Sequence, residues 1–436
     1  MESVHFTFLD YIFFISVFVI TIATALYYAF NTQKRRSIEE YLFGGKNLKV
    51  IPVSFSLAAT AISGSATIGQ SMEVYAYGIH NWMILVNSVT WVIIMHFVFL
   101  PVFYELQLTS TFTYLEMRFD KSVKYLASSL YVLTGCFILP LTIYVPALAF
   151  QELTGINLYV ISIAMGLLCI WYTAVGGIRA VIITDMFQFC IILVSAIVIL
   201  IVGLRSVGGF GSVWDALERG KRLTIVKSDL DFEARGTIWA YLFSNVFVLL
   251  YYFGVSQSSV QRFISLPSIK EAKIALWCQS ILCKTILLLQ FIIGAIIYTS
   301  YEDCDPLTSG AVRKIDQIFP HYIQEKASLF SGFSGIFIAG IFAAGLSTAS
   351  TLLNTISGTI YNDFLKNTFK KTDFDKVVKI TVAGLGIVGI VMVFLIQQMG
   401  TIFAITFQCF TLSTVGVLGL FASGILFPNI NSQVRT

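Results

Sequence analysis

The feature that most constrains the fold is a series of apolar runs, each about 20 residues long, which is the length a helix needs to cross a bilayer. The runs number about eleven and lie at 8–30, 51–77, 82–104, 126–150, 157–175, 180–204, 237–260, 272–299, 330–361, 377–398 and 401–427. Hydrophobic residues make up 57% of the chain and charged residues only 12%, which excludes a soluble globular domain. Because lipid cannot hydrogen-bond an open backbone, we predict an all-α integral membrane protein with about eleven transmembrane helices.

Basic side chains set the expected orientation. With the N-terminus outside, the loops that fall inside carry most of the Lys and Arg residues, including those at 34–36, 118–124 and 366–371. We therefore expect a plasma-membrane protein with an extracellular N-terminus and a cytoplasmic C-terminus. The net charge of +4 reflects this topology, so the lipid bilayer is the expected partner and nucleic acid is not. The first run is too long for a signal peptide and no basic segment precedes it, so we expect a permanent helix.

The runs also suggest a division of the chain. We expect a leading helix and basic cytoplasmic loop at 1–50, a first repeat of five helices at 51–205, an extracellular loop at 206–236, a second repeat of five helices at 237–427 and a short cytoplasmic tail at 428–436. An odd number of helices in each group inverts the second group in the membrane. Secondary transporters built from inverted repeats bind their solute near the midplane, where discontinuous helices meet.

Two runs carry small and polar residues that predict such discontinuous helices. Ser54–Gly69 reads SFSLAATAISGSATIG, and Tyr251–Arg262 reads YYFGVSQSSVQR at the corresponding place in the second group. An unwound turn would free backbone carbonyls for a cation. The alternative is that the small residues allow close helix packing. At the end of the second run, Arg262 is expected to act as a snorkelling anchor at the cytoplasmic interface.

A third segment, Gly340–Asp363, is long enough to span the bilayer and yet is rich in Ser, Thr and Asn. Within it, Ala344, Ser347 and Thr348 stand at i, i+3 and i+4 and share one helical face. With the carbonyls of Ala59 and Ile62 from the broken first helix, they would supply about five oxygens, a neutral cage suited to sodium. The alternative is that the hydroxyls bond to carbonyls of their own helix.

Other chemistry finds little support in the sequence. Six of the seven cysteines fall inside apolar runs, and no Cys/His cluster has the spacing of zinc ligands. No paired carboxylates, Ser-His arrangement or HExxH motif lies in a span. We therefore expect that the protein is not an enzyme, that it has no cofactor other than sodium as coupling ion, and that sodium is its only metal.

Four segments together give the chain a recognisable signature. They are WYTAVGGIRAVIITDMFQ at Trp171–Gln188, GVSQSSVQR at Gly254–Arg262, AAGLSTASTLLN at Ala343–Asn354 and the outer-loop run YEDCDPL at Tyr301–Leu307. The sequence resembles the sodium:solute symporter family over about residues 37–428. The outer-loop run is similar to that of the subgroup with sodium-dependent multivitamin and monocarboxylate transporters.

The resemblance implies a LeuT-like core of five plus five inverted helices preceded by one extra helix. It also implies a sodium site at the five positions named above. The family has an Asp on its ion path, and the matching residue is Asp185; the alternative is a first-turn carboxylate that favours a helix N-terminus near Arg179. Family members continue beyond the core, whereas this chain stops at Thr436. We expect all ten core spans to be present.

Candidate residues for the solute lie beside the first break and in later spans. They are Ser63, Thr67, Gln70, Gln257 and Lys284. A lysine inside a span is a functional hypothesis by default because burying its charge is costly, and Lys284 could pair with a carboxylate solute. The alternative is that Lys284 lines a polar gap between helices. The family's sugar carriers have a polar side chain where this chain has Ala66, which argues against a sugar.

The sequence thus predicts a sodium-coupled symporter that imports a small organic solute, a monocarboxylate or a vitamin-like anion, by alternating access. Two alternatives remain open at this point. One is a membrane sensor or accessory subunit that binds sodium or solute without transport. The other is a symporter for a different solute, such as iodide or a sugar.

Overall fold

The computed structural model describes residues 6–32, 38–223, 237, 239, 243, 245–366, 368–369, 373–398 and 402–427. These residues are helical wherever they form regular structure, and no strand occurs among them. The helices are α1 (Phe8–Thr32), α2 (Ile38–Phe43), α3 (Val50–Ala61), α4 (Gly64–Tyr77), α5 (Met83–Ile94), α6 (Leu100–Leu106), α7 (Thr113–Arg118), α8 (Lys121–Thr154), α9 (Leu158–Val207), α10 (Phe210–Arg219), α11 (Val246–Leu250), α12 (Gln257–Ile264), α13 (Ile269–Ser300), α14 (Ile318–Lys326), α15 (Phe333–Thr359), α16 (Phe374–Gln398) and α17 (Ile402–Leu426).

The predicted all-helical membrane architecture is confirmed. Within the described residues, seven helices are long and apolar enough to cross a membrane, and the pair α3 and α4, bent by 61°, makes an eighth. The run predicted at 237–260 lies partly outside the described residues, and the predicted tail at 428–436 lies wholly outside them. The total of eleven spans and the inverted repeat stay predictions.

Helix α9 joins two of the predicted spans. Its 50 residues would extend about 75 Å at 1.5 Å per residue, more than twice the thickness of a hydrocarbon core. The helix is interrupted at Gly177, whose backbone has φ 58° and ψ −166°. Only glycine adopts this conformation without strain. The ring of Tyr41 would lie 3.1 Å from a Cβ at this position, so the space is closed as well.

Helix α15 is the most enclosed of the spans, with 94% of its apolar window buried inside the protein. It packs against α1, α8 and α9. Gly345 makes the contact with α8 close: an added Cβ would lie 2.6 Å from the Pro146 ring and 2.7 Å from the carbonyl of Thr142. The hydroxyls of α15 therefore face protein rather than lipid, which is the arrangement its composition requires.

The leading helix α1 is part of the same bundle. The Asp10 carboxylate accepts a hydrogen bond from the backbone N–H of Gly335 at 2.6 Å, in the first turn of α15. Carboxylates are favourable at this end of a helix because of the unpaired N–H groups. Thr7 donates to the same side chain through its hydroxyl at 2.6 Å. This contact places the starts of α1 and α15 on one side of the bundle.

Candidate ion and solute site

The first core helix is broken between α3 and α4. Ile62 has φ −102° and ψ 83°, and Ser63 has φ −75° and ψ 161°, so neither continues the helix. The Ser63 hydroxyl caps α4 by accepting from the N–H of Ala66 at 3.2 Å. The last carbonyls of α3 lose their partners in the helix and are available to other groups.

Hydroxyls of α15 meet these carbonyls. The Ser347 hydroxyl donates to the carbonyls of Ala59 and Ala344, both at 3.0 Å. The Thr348 hydroxyl lies 3.1 Å from the Ala344 carbonyl and 3.2 Å from that of Thr60. Oxygens from two helices thus gather in one fully buried cluster. Bonds within the helix and bonds between helices occur together: the hydroxyls bond to carbonyls of their own helix, as the alternative predicts, and also to carbonyls of α3, while the sodium site stays a prediction.

Ile62 and Thr60 border the oxygen cluster in different ways. Ile62 is joined to it through its N–H, which donates to the Ala59 carbonyl at 3.2 Å. Thr60 was not among the predicted residues, yet its carbonyl accepts from Thr348 and from the Tyr252 hydroxyl at 3.0 Å. Every residue has a carbonyl, so the sequence gives no signal for which one faces α15.

Asp185 forms a buried ion pair with Arg262. The Asp185 Oδ2 atom lies 3.1 Å from Arg262 Nη2, and the side chains are 0% and 2% exposed. The expected snorkelling anchor at Arg262 is therefore wrong, because this guanidinium is held inside the protein by a carboxylate 77 positions away in sequence. The first-turn interpretation of Asp185 is also wrong, because α9 resumes after Gly177 and Asp185 lies beyond its first turn. Arg179 pairs instead with Glu40 at 2.9 Å.

The guanidinium of Arg262, on α12, bonds to groups of α3, α9 and α15 and to a carbonyl of its own helix. Besides Asp185, it donates to the Ser56 hydroxyl at 2.8 Å, to the Ser258 carbonyl at 2.8 Å and to the Thr351 hydroxyl at 2.5 Å. Ser56 in turn donates to Asp185 at 2.6 Å. The network pairs most of the donors of the arginine, as a buried cation requires.

Thr351 connects the ion pair to the oxygen cluster. Its hydroxyl lies 3.0 Å from the hydroxyl of Thr60, whose carbonyl belongs to the cluster. A continuous line of polar groups therefore runs from Thr348 through Thr60 and Thr351 to Arg262 and Asp185. All five side chains are buried.

Beyond the break, one face of α4 is only partly covered by the described residues. Ser63, Thr67 and Gln70 are half-buried and Ala66 is exposed, at spacings i, i+4, i+7 and i+3. Thr67 donates to the Ser63 carbonyl at 3.0 Å. A Cβ added at Gly69 would meet no heavy atom of the described residues within 4 Å. Three of the predicted solute residues thus share a face with room beside it.

The two remaining candidates lie on other helices, Gln257 on α12 and Lys284 on α13. The Gln257 amide is engaged by the loop before α7: it accepts from the N–H of Thr111 at 2.8 Å and donates to the Thr109 carbonyl at 3.0 Å. Lys284 is half-buried on α13, and it forms no hydrogen bond or ion pair with the part of the chain that the structure describes.

A helical bundle in the membrane with a broken helix and a buried oxygen cluster defines the class of ion-coupled membrane transporters. A profile of the Sodium:solute symporter family matches residues 41–433. The chain belongs to the sodium:solute symporter family, and its homologues are transporters rather than enzymes.

Three relatives illustrate the match. Sodium-coupled monocarboxylate transporter 2 of Mus musculus is 34% identical over 97% of this chain and 69% of its own length. Sodium-coupled monocarboxylate transporter 1 of Homo sapiens is 32% identical over 97% of this chain and 70% of its own length. The sodium-dependent multivitamin transporter of Oryctolagus cuniculus is 29% identical over 98% of this chain and 68% of its own length.

Among solved structures, a Na+-coupled sialic acid symporter in a substrate-bound outward-open state has a TM-score of 0.87. Its sequence is 24% identical to this chain, and the match covers 98% of this chain and 88% of the symporter. The likeness shows that the two proteins share a fold.

Proposed function

We propose that this symporter imports a small organic anion, a monocarboxylate or a vitamin-like carboxylate, together with sodium. Membership of the family supports sodium coupling, and the names of the relatives favour a carboxylate over a sugar. The observation that carries the proposal is the oxygen cluster between the broken helix and α15.

The proposed sodium ligands are the carbonyls of Ala59, Ile62 and Ala344 and the hydroxyls of Ser347 and Thr348. Sodium is a hard cation that prefers oxygen ligands, and the neutral cluster would bind one positive charge without a carboxylate. The hydroxyls of Ser347 and Thr348 lie within 3.2 Å of carbonyl oxygens, so small rotations of these hydroxyls would direct their lone pairs toward a bound ion. Binding there would tie α3 to α15 and favour one state of the transporter.

Asp185 is proposed to line the path by which sodium leaves. The polar groups of Thr60 and Thr351 supply oxygens between the cluster and this carboxylate. Because Arg262 already holds Asp185, an ion that reaches the carboxylate competes with the guanidinium. Release then requires that the pair loosen, which couples ion exit to movement of α12.

The proposed solute site is the open face of α4, with Ser63, Thr67 and Gln70 as hydrogen-bonding groups and Lys284 as the positive partner of a carboxylate. Support for Lys284 is its lack of a partner among the described residues in a span where an unpaired cation is costly. The amide of Gln257 is proposed to hold the loop before α7 rather than the solute.

The test is uptake of radiolabelled lactate, pantothenate, biotin, iodide and glucose into proteoliposomes, with and without a sodium gradient. We expect sodium-dependent accumulation of a carboxylate. Binding of sodium or solute without accumulation would instead favour a sensor, and accumulation of iodide or glucose would overturn the carboxylate assignment.

A double variant tests the sodium site. Replacement of Ser347 and Thr348 by Ala removes two of the five oxygens, so we expect the half-saturating sodium concentration to rise by at least tenfold. The matched control is Ser357→Ala, because the Ser357 hydroxyl is buried in the same helix and bonds to the Asn354 carbonyl at 3.0 Å. Full sodium-dependent uptake by the double variant would overturn the assignment.

The topology and division of the chain enter the proposal as well. We propose a plasma-membrane location with the N-terminus outside and the C-terminus inside. The ranges 1–50, 51–205, 206–236, 237–427 and 428–436 then correspond to the leading helix with its loop, the first repeat, an outer loop, the second repeat and an inner tail.

A further inference from the structure

A cavity of about 510 Å³ lies on the outside of the helical bundle, and none of the residues that line it belongs to the oxygen cluster. It is lined by the first half of α13 and by His96, which lies in the π-helical turn Met95–Phe99 between α5 and α6. A π-helical turn widens a helix locally and is common at functional sites. Both walls belong to helices long and apolar enough to cross a membrane, so we expect the cavity to open toward lipid.

The α13 wall changes in character along its length. Lys270, Lys273, Ile274, Trp277 and Ile281 stand at i, i+3, i+4, i+7 and i+11 and therefore form one stripe. The two lysines occupy the first turns, the indole lies about 10 Å further along, and Ile281 lies about 16 Å along, at 1.5 Å per residue. This order of basic, aromatic and aliphatic groups matches the order of headgroup, interface and acyl chain in a leaflet.

The basic end of the stripe forms no ion pair with the residues that the structure describes. Neither Lys270 nor Lys273 has an acidic partner within the described ranges; the ammonium of Lys273 lies 5.9 Å from the centre of the Phe97 ring. Glu271 stands between them in sequence, and its backbone N–H donates to the Ser268 cap at 3.2 Å. Cations are unfavourable at a helix N-terminus, where the backbone already carries positive potential. The combined field attracts an anion.

His96 adds a hydrogen-bond donor. The indole N–H of Trp277 donates to His96 Nδ1 at 3.2 Å. An indole nitrogen is a donor only, so Nδ1 accepts and a neutral imidazole carries its proton on Nε2. That N–H remains for a phosphate oxygen. Next to it, Phe97 is 70% exposed and Ile281 is 60% exposed, which provides an apolar surface for an acyl chain.

We propose that this cavity binds one anionic phospholipid of the inner leaflet, with its phosphate at Lys270, Lys273 and His96 and an acyl chain along Trp277 and Ile281. The leaflet assignment rests on the topology proposed above; the binding itself does not. Basic pockets between spans on the cytoplasmic side are sites for acidic headgroups, and each lysine near the surface contributes about fivefold in affinity (about 1 kcal/mol).

The test uses the full chain in nanodiscs with phospholipids brominated on the acyl chain, which quench tryptophan fluorescence on contact. Brominated phosphatidylglycerol is compared with brominated phosphatidylcholine. We expect stronger quenching by the anionic lipid, and we expect Trp277→Phe to abolish the difference, which identifies Trp277 as the residue in contact.

The charge requirement is tested by Lys270→Gln/Lys273→Gln, which should lower the preference for the anionic lipid by about 25- to 30-fold. Lys270→Gln alone, an exposed substitution that leaves the packing intact, should lower it about fivefold. The matched control is Lys376→Gln, an exposed lysine at the start of α16, which should leave the preference unchanged.

Three results would overturn the proposal: equal quenching by the two lipids, an effect of Lys376→Gln as large as that of the double variant, or relief of the quenching by millimolar inorganic phosphate, which would indicate a site for a soluble anion. The measurement needs neither sodium nor transport. Its failure would therefore leave the symporter proposal standing, and failure of uptake would leave the lipid site standing.

Discussion

The Arg262 guanidinium and the Asp185 carboxylate form a charge pair inside the helical bundle, with Nη2 3.1 Å from Oδ2 and side chains that are 2% and 0% exposed. Taking two charges out of water is costly, and their attraction compensates only when the remaining donors are paired as well. Ser56 and Thr351 meet that condition here.

Removal of one charge of the pair is expected to lower the stability of the protein more than removal of both charges. Arg262→Met leaves the charge of Asp185 buried without its positive partner, at a cost of about 3–5 kcal/mol. Arg262→Met/Asp185→Asn removes both charges and should recover most of that loss. Thermal unfolding of the purified variants in detergent measures the order of their stabilities. A single variant as stable as the wild-type protein would contradict the structural role of the pair.

Gly177 is expected to tolerate no side chain. Gly177→Ala would strain the backbone at φ 58° and press on the Tyr41 ring, with a cost of about 1–3 kcal/mol and a lower yield of folded protein. Gly384→Ala provides the control, because Gly384 lies within α16 and the described residues leave open space beside it. That substitution should be neutral or stabilise by up to about 1 kcal/mol. Expression and thermal unfolding measure the effect of each substitution. Equal stability of the two variants would refute the claim that the backbone at Gly177 requires glycine.

The loop after α13 is expected to lose stability in acid. Burial opposes ionisation of Asp305, but hydrogen bonds from the Thr308 side chain, the Tyr75 hydroxyl and the backbone of Thr308 and Leu307 hold its pKa below the usual value. A lowered carboxyl pKa stabilises the folded state above the unfolded pKa of about 3.9, and this contribution is lost as pH falls below it.

Asp305→Asn should therefore have a lower thermal midpoint than the wild-type protein at pH 7, and the difference should shrink as pH is lowered through about 4. Asp303→Asn, an exposed neighbour, is the comparison. A difference between wild type and Asp305→Asn that stays constant from pH 7 to pH 3 would show that the carboxylate contributes nothing through its ionisation.

Cysteine labelling tests the orientation. Cys304 is exposed in the loop after α13, which the proposed topology places outside the cell. A membrane-impermeant maleimide added to intact cells should label the protein, and Cys304→Ser should remove that label. Labelling of Cys304 that appears only after the membrane is permeabilised would reverse the orientation.

Short-range patterns in the sequence predicted part of the local geometry at the candidate site. The spacing of Ala344, Ser347 and Thr348 fixes them to one face whatever surrounds the helix, and Ser63 with Gly64 is a strong signal for a helix break. The sequence also shows that α15 is rich in polar residues, but it does not show which partners those residues bind. Thr351 hydrogen-bonds to Arg262 and Thr60, and the side-chain amide of Gln261 donates through Nε2 to Asn354 Oδ1 at 3.4 Å.

Contacts between distant segments were beyond such patterns. Arg262 was interpreted as an anchor because basic residues gather at cytoplasmic ends, a tendency that does not identify the exception with a buried carboxylate beside it. Gln257 lies in a polar run typical of a solute site, but its partners are backbone groups of Thr109 and Thr111, which have no signature in sequence. Whether Lys284 meets a solute is still a prediction.

The bonds of Arg262 have a kinetic consequence. The Arg262 side chain connects α3, α9, α12 and α15 through hydrogen bonds to Ser56, Asp185, Ser258 and Thr351. No two of these helices can separate at that level without the loss of a charge-assisted hydrogen bond in a medium that offers no water to replace it. Any step of the transport cycle that separates these helices would therefore have to break bonds of Arg262, and we expect entry of water to the guanidinium to lower that cost.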